Sequence, residues 1–416
     1  MKNSVIYVIA MINIIVIVAF SDDYLWPDAQ TYIDAWENSI SQGKLDIFRT
    51  PVYPTFLGIC KYIAGTDFLR LAIALQFIIF FISIFYFNKI ASFIIESKKV
   101  VWFVTLVYSI LSGISSWAIV ILTESLAISG SVFLIYNITQ YFKTNKIFNI
   151  ACITFWMLFL LFLRPAFLYL IPICILMWIF AVKAKKRNAT FGVASILFII
   201  LIYSAYCFQF KKEYGVFTSS SVGILNHTNI AIYKGLYTPD FIDSQEYKTY
   251  CQQQEEAIDE IWLITNYAAK HYGLVEIQKE VFDSYKNQPI EWIKIFYNNF
   301  ISTFDNYYPP IYSLYSNRTL KMITRGLTIN IIFIYIFAAL YCVVLLKWKK
   351  KKNEYFVFSC LLWLSLLLNI VTATIGAPLE WGRLITPSAP IFMLLLGQSL
   401  NFYWKKRDNC HNHFAD

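Results

Sequence analysis

Long apolar runs, separated by short polar connections, recur along almost the whole chain. A helix needs roughly 20 such residues to cross a bilayer, and it satisfies its own backbone hydrogen bonds while doing so. The pattern predicts ten spans, over about 4–20, 68–88, 100–119, 124–142, 148–163, 166–182, 190–208, 327–346, 355–375 and 385–403. The alternation of apolar and polar positions that marks a transmembrane barrel strand does not occur. The expected fold class is therefore an all-α polytopic membrane protein, with residues 1–416 forming one membrane domain. A cleaved signal peptide is a rival reading of the first segment, but no small-x-small site follows it and Phe20 is bulky.

Two connections are long, about 21–67 and 209–326. A structureless loop of the second length would be unusual, and its sequence reads as mostly helical. The stretch from Glu246 to Tyr272 has few breakers and ends at Gly273. Asn287-Gln288-Pro289 then opens a helix over about 290–304, because proline suits a first helical turn. Ile290, Ile293, Phe296, Tyr297, Phe300 and Ile301 recur there at helical spacing, predicting one apolar stripe for the membrane surface or the bundle.

Composition agrees with the pattern: of 416 residues, 58% are hydrophobic and 15% charged, against about a quarter charged in a soluble domain. The net charge of +9 does not mark a nucleic-acid binder. Its lysines and arginines gather in alternate short connections, at Lys98 and Lys99, Lys183 to Arg187, and Lys349 to Lys352. That is the positive-inside distribution. It places both termini in the cytoplasm and both long loops outside, as expected for a bacterial inner membrane protein. The 8 cysteines show no CxxC, and the histidines no ligand spacing. The Cys410, His411, His413 group lies on the tail. No structural metal or disulfide framework is expected. The exoplasmic acids could hold a divalent ion, although no spacing demands one and no cofactor is implied. The sequons at Asn226 and Asn317 matter only in a glycosylating compartment.

The first long loop is acidic and rich in aromatic residues. Pro27 is placed to start a helix, on which Asp28, Tyr32 and Ala35 fall near one face. Arg49-Thr-Pro51-Val-Tyr53-Pro54 follows, and two prolines three apart predict a rigid turn. Phe56, Leu57, Ile59 and Cys60 predict a second helix beyond it. Glu124, Arg164 and the pair Glu380 and Arg383 interrupt apolar surroundings near span ends. Ionisable groups near a membrane are costly unless paired or facing water. A bland reading holds for each, as a helix end from which a charge reaches the interface. On the predicted topology all of them emerge on the side of the first loop.

Together these pieces resemble the GT-C glycosyltransferases, membrane enzymes that use lipid-phosphate-linked sugars, such as the protein O-mannosyltransferases and lipid A aminoarabinose transferases. The resemblance rests on Asp28-Ala-Gln-Thr-Tyr32, Arg49-Thr-Pro51-Val-Tyr53-Pro54, Leu122-Thr-Glu124-Ser-Leu126, Leu163-Arg164-Pro165 and Gly382-Arg383-Leu384-Ile385-Thr386-Pro387. Asn287-Gln-Pro289-Ile-Glu-Trp is similar to a surface helix of such proteins. The order and sidedness of the pieces are more specific than any single one. One departure concerns the first-loop acid. Many members carry an Asp-Glu pair, whereas Ala29 follows Asp28 here, so Asp22-Asp23 is a competing assignment.

The resemblance implies a GT-C-like bundle and a polyprenyl-phosphate-linked sugar donor. The acceptor would be a lipid, glycan or protein hydroxyl outside the membrane. Asp28 would be the general base and Glu124 its catalytic companion. Tyr32, Arg49, Tyr53, Arg164, Glu380 and Arg383 would bind substrate, with the arginines facing phosphate. Trp26, Trp36 and Tyr53, if exposed, would stack on sugar. Two other functions compete. A transporter or flippase of lipid-linked sugars should show repeated halves or broken helices with midplane charges, and neither is evident. An O-antigen polymerase or ligase would depend mainly on the loop at 209–326.

Overall fold

The computed structural model describes residues 4–20, 25–26, 28–252, 260–305, 341, 354–376 and 384–412. All regular structure among them is helical. The first predicted span is α1 (Ser4–Phe20), followed by α2 (Ala29–Gln42), α3 (Val52–Ala64) and α4 (Phe68–Ile94). Then come α5 (Lys98–Ile110), α6 (Ser112–Ser115), α7 (Glu124–Thr144), α8 (Ile147–Leu163), α9 (Leu170–Lys183) and α10 (Ala189–Tyr214). The second long loop carries α11 (Val222–Tyr233), α12 (Gln245–Gln252), α13 (Glu260–Asn287) and α14 (Pro289–Asp305), and the chain ends with α15 (Glu354–Gly376) and α16 (Ala389–Asn412). Among the described residues, Val52–Ile94, Pro165–Lys183, Ala189–Tyr214 and Phe356–Gly376 are long and apolar enough to cross a membrane. This supports a helical integral membrane protein. Of the other predicted spans, that at 327–346 lies outside the described residues except for Tyr341.

The predicted third span does not run straight. It bends by 59° after Ile110, where Ser112, Gly113, Ser115 and Ser116 offer the backbone weak helical preference. The short turns that follow are buried, Trp117 to Ile121 almost completely so. Asn13 of α1 donates to Ser115 Oγ at 3.1 Å and holds this bend in place. α7 runs through the interior, packing chiefly on α8 and α4, with nearly its whole length buried.

The second long loop is built on its own aromatic core. Phe241, Tyr247 and Tyr267 pack with Leu45 and Ile47 of the first loop. Glu213 accepts the Leu45 N–H at 2.8 Å, and the Ser221 N–H donates to the Ile47 carbonyl at 2.9 Å. The two loops are therefore one assembly. Gly273 was expected to end a helix, and it does break α13, at φ 81° and ψ 162°. Asn226 on α11 donates to the Gly376 carbonyl at 2.9 Å, satisfying a carbonyl at the end of α15 that the helix cannot. His227 beside it lies 3.0 Å from the Ile375 carbonyl and 2.9 Å from Tyr285 Oη.

Two sequence expectations need correcting. The stripe predicted on α14 is two faces: Ile290, Ile293, Tyr297 and Ile301 are exposed, while Phe296 packs beside buried Trp292 and Ile295 against α11 and α13 residues. A helix advances about 100° per residue, so Ile295 lies about 160° and Trp292 about 100° around from Ile293. The rigid turn also ends sooner than two prolines implied. Pro51 precedes α3 and Pro54 sits inside its first turn, where a missing N–H costs no hydrogen bond.

Candidate functional site

Asp28 immediately precedes α2, and its carbonyl accepts Thr31 Oγ1 at 2.7 Å. Arg49 reaches the same place from the turn before α3. Its Nη2 is 3.4 Å from Asp28 Oδ1, its Nε donates to Thr31 Oγ1 at 2.8 Å, and its Nη1 donates to Tyr32 Oη at 3.2 Å. The guanidinium carbon also stands 4.1 Å from the centre of the Tyr32 ring, a favourable cation–π position. With Arg49 side-chain exposure at 14% and Asp28 at 29%, the carboxylate keeps access to solvent while its partner is largely enclosed.

The turn presenting Arg49 is shaped by Asp46, whose Oδ1 accepts the N–H groups of Phe48 at 2.9 Å and Arg49 at 2.6 Å. Burial pushes the Asp46 carboxyl above the usual carboxylate range, while those two N–H groups and the Arg49 charge pull against it. The spacing between α2 and α3 is set by close contact. Trp36 lies so near Gly58 that a Cβ there would fall 2.1 Å from the indole. Only glycine leaves room for that packing.

A second acid–arginine pair lies beside the first. Glu124 Oε1 accepts from Arg164 Nη1 at 3.1 Å, with side-chain exposures of 1% and 9%. Glu124 begins α7, and Arg164 is the extended residue between α8 and the short 3-10 turn Pro165–Tyr169. The two pairs are joined through buried hydrogen bonds. Thr50 donates to the Leu163 carbonyl, the residue before Arg164, at 3.1 Å. Tyr53 donates to Gln76 Oε1 at 2.6 Å, and Gln76 Nε2 donates to the Val120 carbonyl at 2.8 Å, just ahead of Glu124. Tyr32 and Tyr53 pack edge to face at 5.1 Å.

Not every expected residue is placed as expected. Tyr53 is wholly buried and Tyr32 nearly so, so neither offers an open face for stacking on sugar. Trp26 packs edge to face on buried Trp117 at 5.8 Å. Arg164 is held by Glu124 rather than standing free for phosphate. Glu380, Arg383 and the Asp22-Asp23 pair lie outside the described residues. Thr31, Thr50 and Gln76 were missed. Gln76 carried a readable signal, as an amide inside a long apolar segment. Among the described residues no group of three or more His, Cys, Asp or Glu converges. Asp28 and Glu124 each face an arginine.

No family model and no curated protein matches this sequence. The described helices define a class, a helical membrane bundle with an acid–arginine cluster at the loop end. This chain is similar in fold to a solved structure, the archaeal oligosaccharyltransferase AglB from Archaeoglobus fulgidus, in complex with an inhibitory peptide and a dolichol-phosphate. The match has a TM-score of 0.52 at 13% identity and covers 97% of this chain and 50% of that one. The chain thus spans about half the length of AglB. At this identity the likeness is one of fold alone.

Proposed function

We propose that this protein is an inverting glycosyltransferase, moving a sugar from a polyprenyl-phosphate donor to an acceptor hydroxyl at the outer membrane surface. The observation that carries the reading is the Asp28–Arg49 pair, set in Thr31 and Tyr32 at the start of α2. Asp28 takes the proton of the acceptor hydroxyl. The acceptor oxygen bonds to the anomeric carbon, the bond from that carbon to the phosphate oxygen breaks, and the electron pair leaves on the lipid phosphate. Arg49 holds the Asp28 carboxylate in position. The buried Glu124–Arg164 pair fixes the end of α7 against the end of α8, and Arg383 is the cation assigned to the departing phosphate. The fold likeness to AglB, whose structure holds a dolichol-phosphate, supports a lipid-linked donor.

The test is transfer from a synthetic polyprenyl-phosphate sugar by purified protein. Asp28→Asn is expected to lower the rate about 10²- to 10⁴-fold, the range of a general base. Full activity in that variant refutes the assignment. Movement of lipid-linked sugar between leaflets without transfer would favour a transporter.

A further inference from the structure

Residues 45–50 lead toward α3 without regular secondary structure, so no helical ladder fixes where they lie. Contacts from outside fix them instead. Glu213, at the end of α10, accepts the Leu45 N–H through Oε2 at 2.8 Å, and its Oε1 accepts from Gln209 Nε2, so both carboxylate oxygens are engaged. Tyr214 Oη donates to the Leu45 carbonyl. The Ser221 N–H donates to the Ile47 carbonyl at 2.9 Å. Leu45 and Ile47 also pack against the cluster that contains Phe210 and Val216. Beyond these anchors Asp46 turns the chain by accepting the Phe48 and Arg49 N–H groups. Arg49 is the side chain that this turn delivers to Asp28, Thr31 and Tyr32. The three outside hydrogen bonds all come from residues 213–221, where α10 passes into the second long loop.

We infer that Asp46 and Glu213 are positioning residues for the base: they set the backbone from which Arg49 reaches Asp28, so the end of α10 governs a reaction carried out on the first loop. The inference rests on the glycosyl-transfer reading above. A free arginine side chain samples many rotamers. It meets a carboxylate, a hydroxyl and a phenol together only if its backbone starts from one fixed place. No helix supplies that place for Arg49, which is four residues from the Leu45 amide that Glu213 holds. Releasing either anchor shifts the guanidinium, and with it the Asp28 carboxylate that it contacts. A misplacement of about 1 Å at a reacting group can cost about 10²-fold in rate, even when the mutated residue is remote. What is lost is alignment in the transition state, so the loss appears in kcat rather than in KM.

Two readouts on the full-length protein in lipid nanodiscs test this. The first is transfer from a synthetic polyprenyl-phosphate sugar. Asp46→Ala and Glu213→Ala should each lower kcat by about 10- to 10²-fold and leave KM within about twofold of the parent. Asp46→Asn keeps an oxygen for the two N–H groups and should restore most of the rate. In an Arg49→Gln background, Asp46→Ala should cost no further kcat, because the residue it acts through is already gone. The second readout needs no activity: modification of arginines by phenylglyoxal, mapped by mass spectrometry. Arg49, 14% exposed, should react slowly in the parent, and in both alanine variants it should approach the rate of Arg70, which is 86% exposed. Lys212→Ala, at the same helix end, should change neither readout. Tyr214→Phe removes only the hydroxyl on the Leu45 carbonyl and should move both readouts in the same direction by less, which serves if an alanine variant does not fold. Parent-like kcat and Arg49 protection in the anchor variants overturn the inference. An equal kcat loss in the parent and Arg49→Gln backgrounds also overturns it, as the mark of a purely structural role. A parent protein that transfers no sugar refutes the reaction, while the phenylglyoxal result still decides the positioning.

Discussion

Removing one partner of the Glu124–Arg164 pair is the most demanding test of the structure. The pair is 3.1 Å apart, with Glu124 1% and Arg164 9% exposed, so neither charge can turn to water when its partner is lost. Breaking such a pair from one side costs about 3–5 kcal/mol, because a buried charge loses its ion-pair partner. For a chain this large, a loss of that size lowers the thermal midpoint by about 3–6 °C. Glu124→Gln, which strips Arg164 of the carboxylate that holds it, should show it, and Arg164→Met completes the comparison. The double variant Glu124→Gln/Arg164→Met removes both charges of the pair and should recover most of the loss, a coupling seen by comparing the midpoints of the parent, both singles and the double. Because large membrane proteins unfold irreversibly, the assay is the fraction of monodisperse protein left after graded heating in detergent, at one scan rate. A Glu124→Gln midpoint lower by less than about 1 °C would match an exposed pair and refute the burial argument. A double variant no more stable than either single would refute the pairing itself. Sugar transfer by the stable double variant separates roles: restored turnover makes the pair architectural, whereas a stable but inactive protein puts one of its charges on substrate.

Three further outcomes follow from the geometry. Tyr53→Phe leaves the buried Gln76 oxygen without its donor and should cost about 1–3 kcal/mol, read in the same heating assay. Gly58→Ala forces Trp36 from its contact and should cost about 1–3 kcal/mol by overpacking, with α2 cleaved faster by protease than in the parent; an unchanged cleavage rate would dismiss the close packing. Burial holds the His227 imidazole below its ordinary value. As pH falls below about 6.5, the unfolded chain binds a proton that the folded chain resists, so stability declines until pH passes the lower folded value. His227→Gln should flatten this slope between about pH 7 and 5, and an equally steep slope would show that another group carries it.

The sequence displayed the actors more clearly than their pairings. Helix periodicity and hydropathy place α1 at Ser4–Phe20 and α14 at Pro289–Asp305 within a residue or so of expectation, because long apolar runs leave the backbone few alternatives. Glu124 and Arg164 stood out as charges in costly places, and Asp28 and Arg49 through the resemblance to the GT-C enzymes. That Arg49 would meet Asp28, and Glu124 meet Arg164, was not legible. Those partners are 21 and 40 residues apart, and their approach depends on Trp36 settling over Gly58 and on Thr50 bonding the end of α8. The burial of Tyr53 escaped notice for the same reason. A tyrosine beside two prolines reads as a loop residue until the first turn of α3 turns it inward. The two faces of α14 also needed the position of α11, since spacing alone groups Phe296 with its exposed neighbours.

The bond from Asn226 to the Gly376 carbonyl bears on how this protein can be produced. Asn226-His227-Thr228 is a sequon, and in a secretory host an oligosaccharyltransferase would meet it before the chain has folded. The amide nitrogen that would carry the glycan is the one that caps α15. Glycosylated chains would lose that cap and the seat of His227 beside it, so yield from such a host should divide into unmodified, folded protein and modified, aggregated protein. Thr228→Ala abolishes the sequon without touching the cap, and production in a host lacking the modification avoids the conflict altogether.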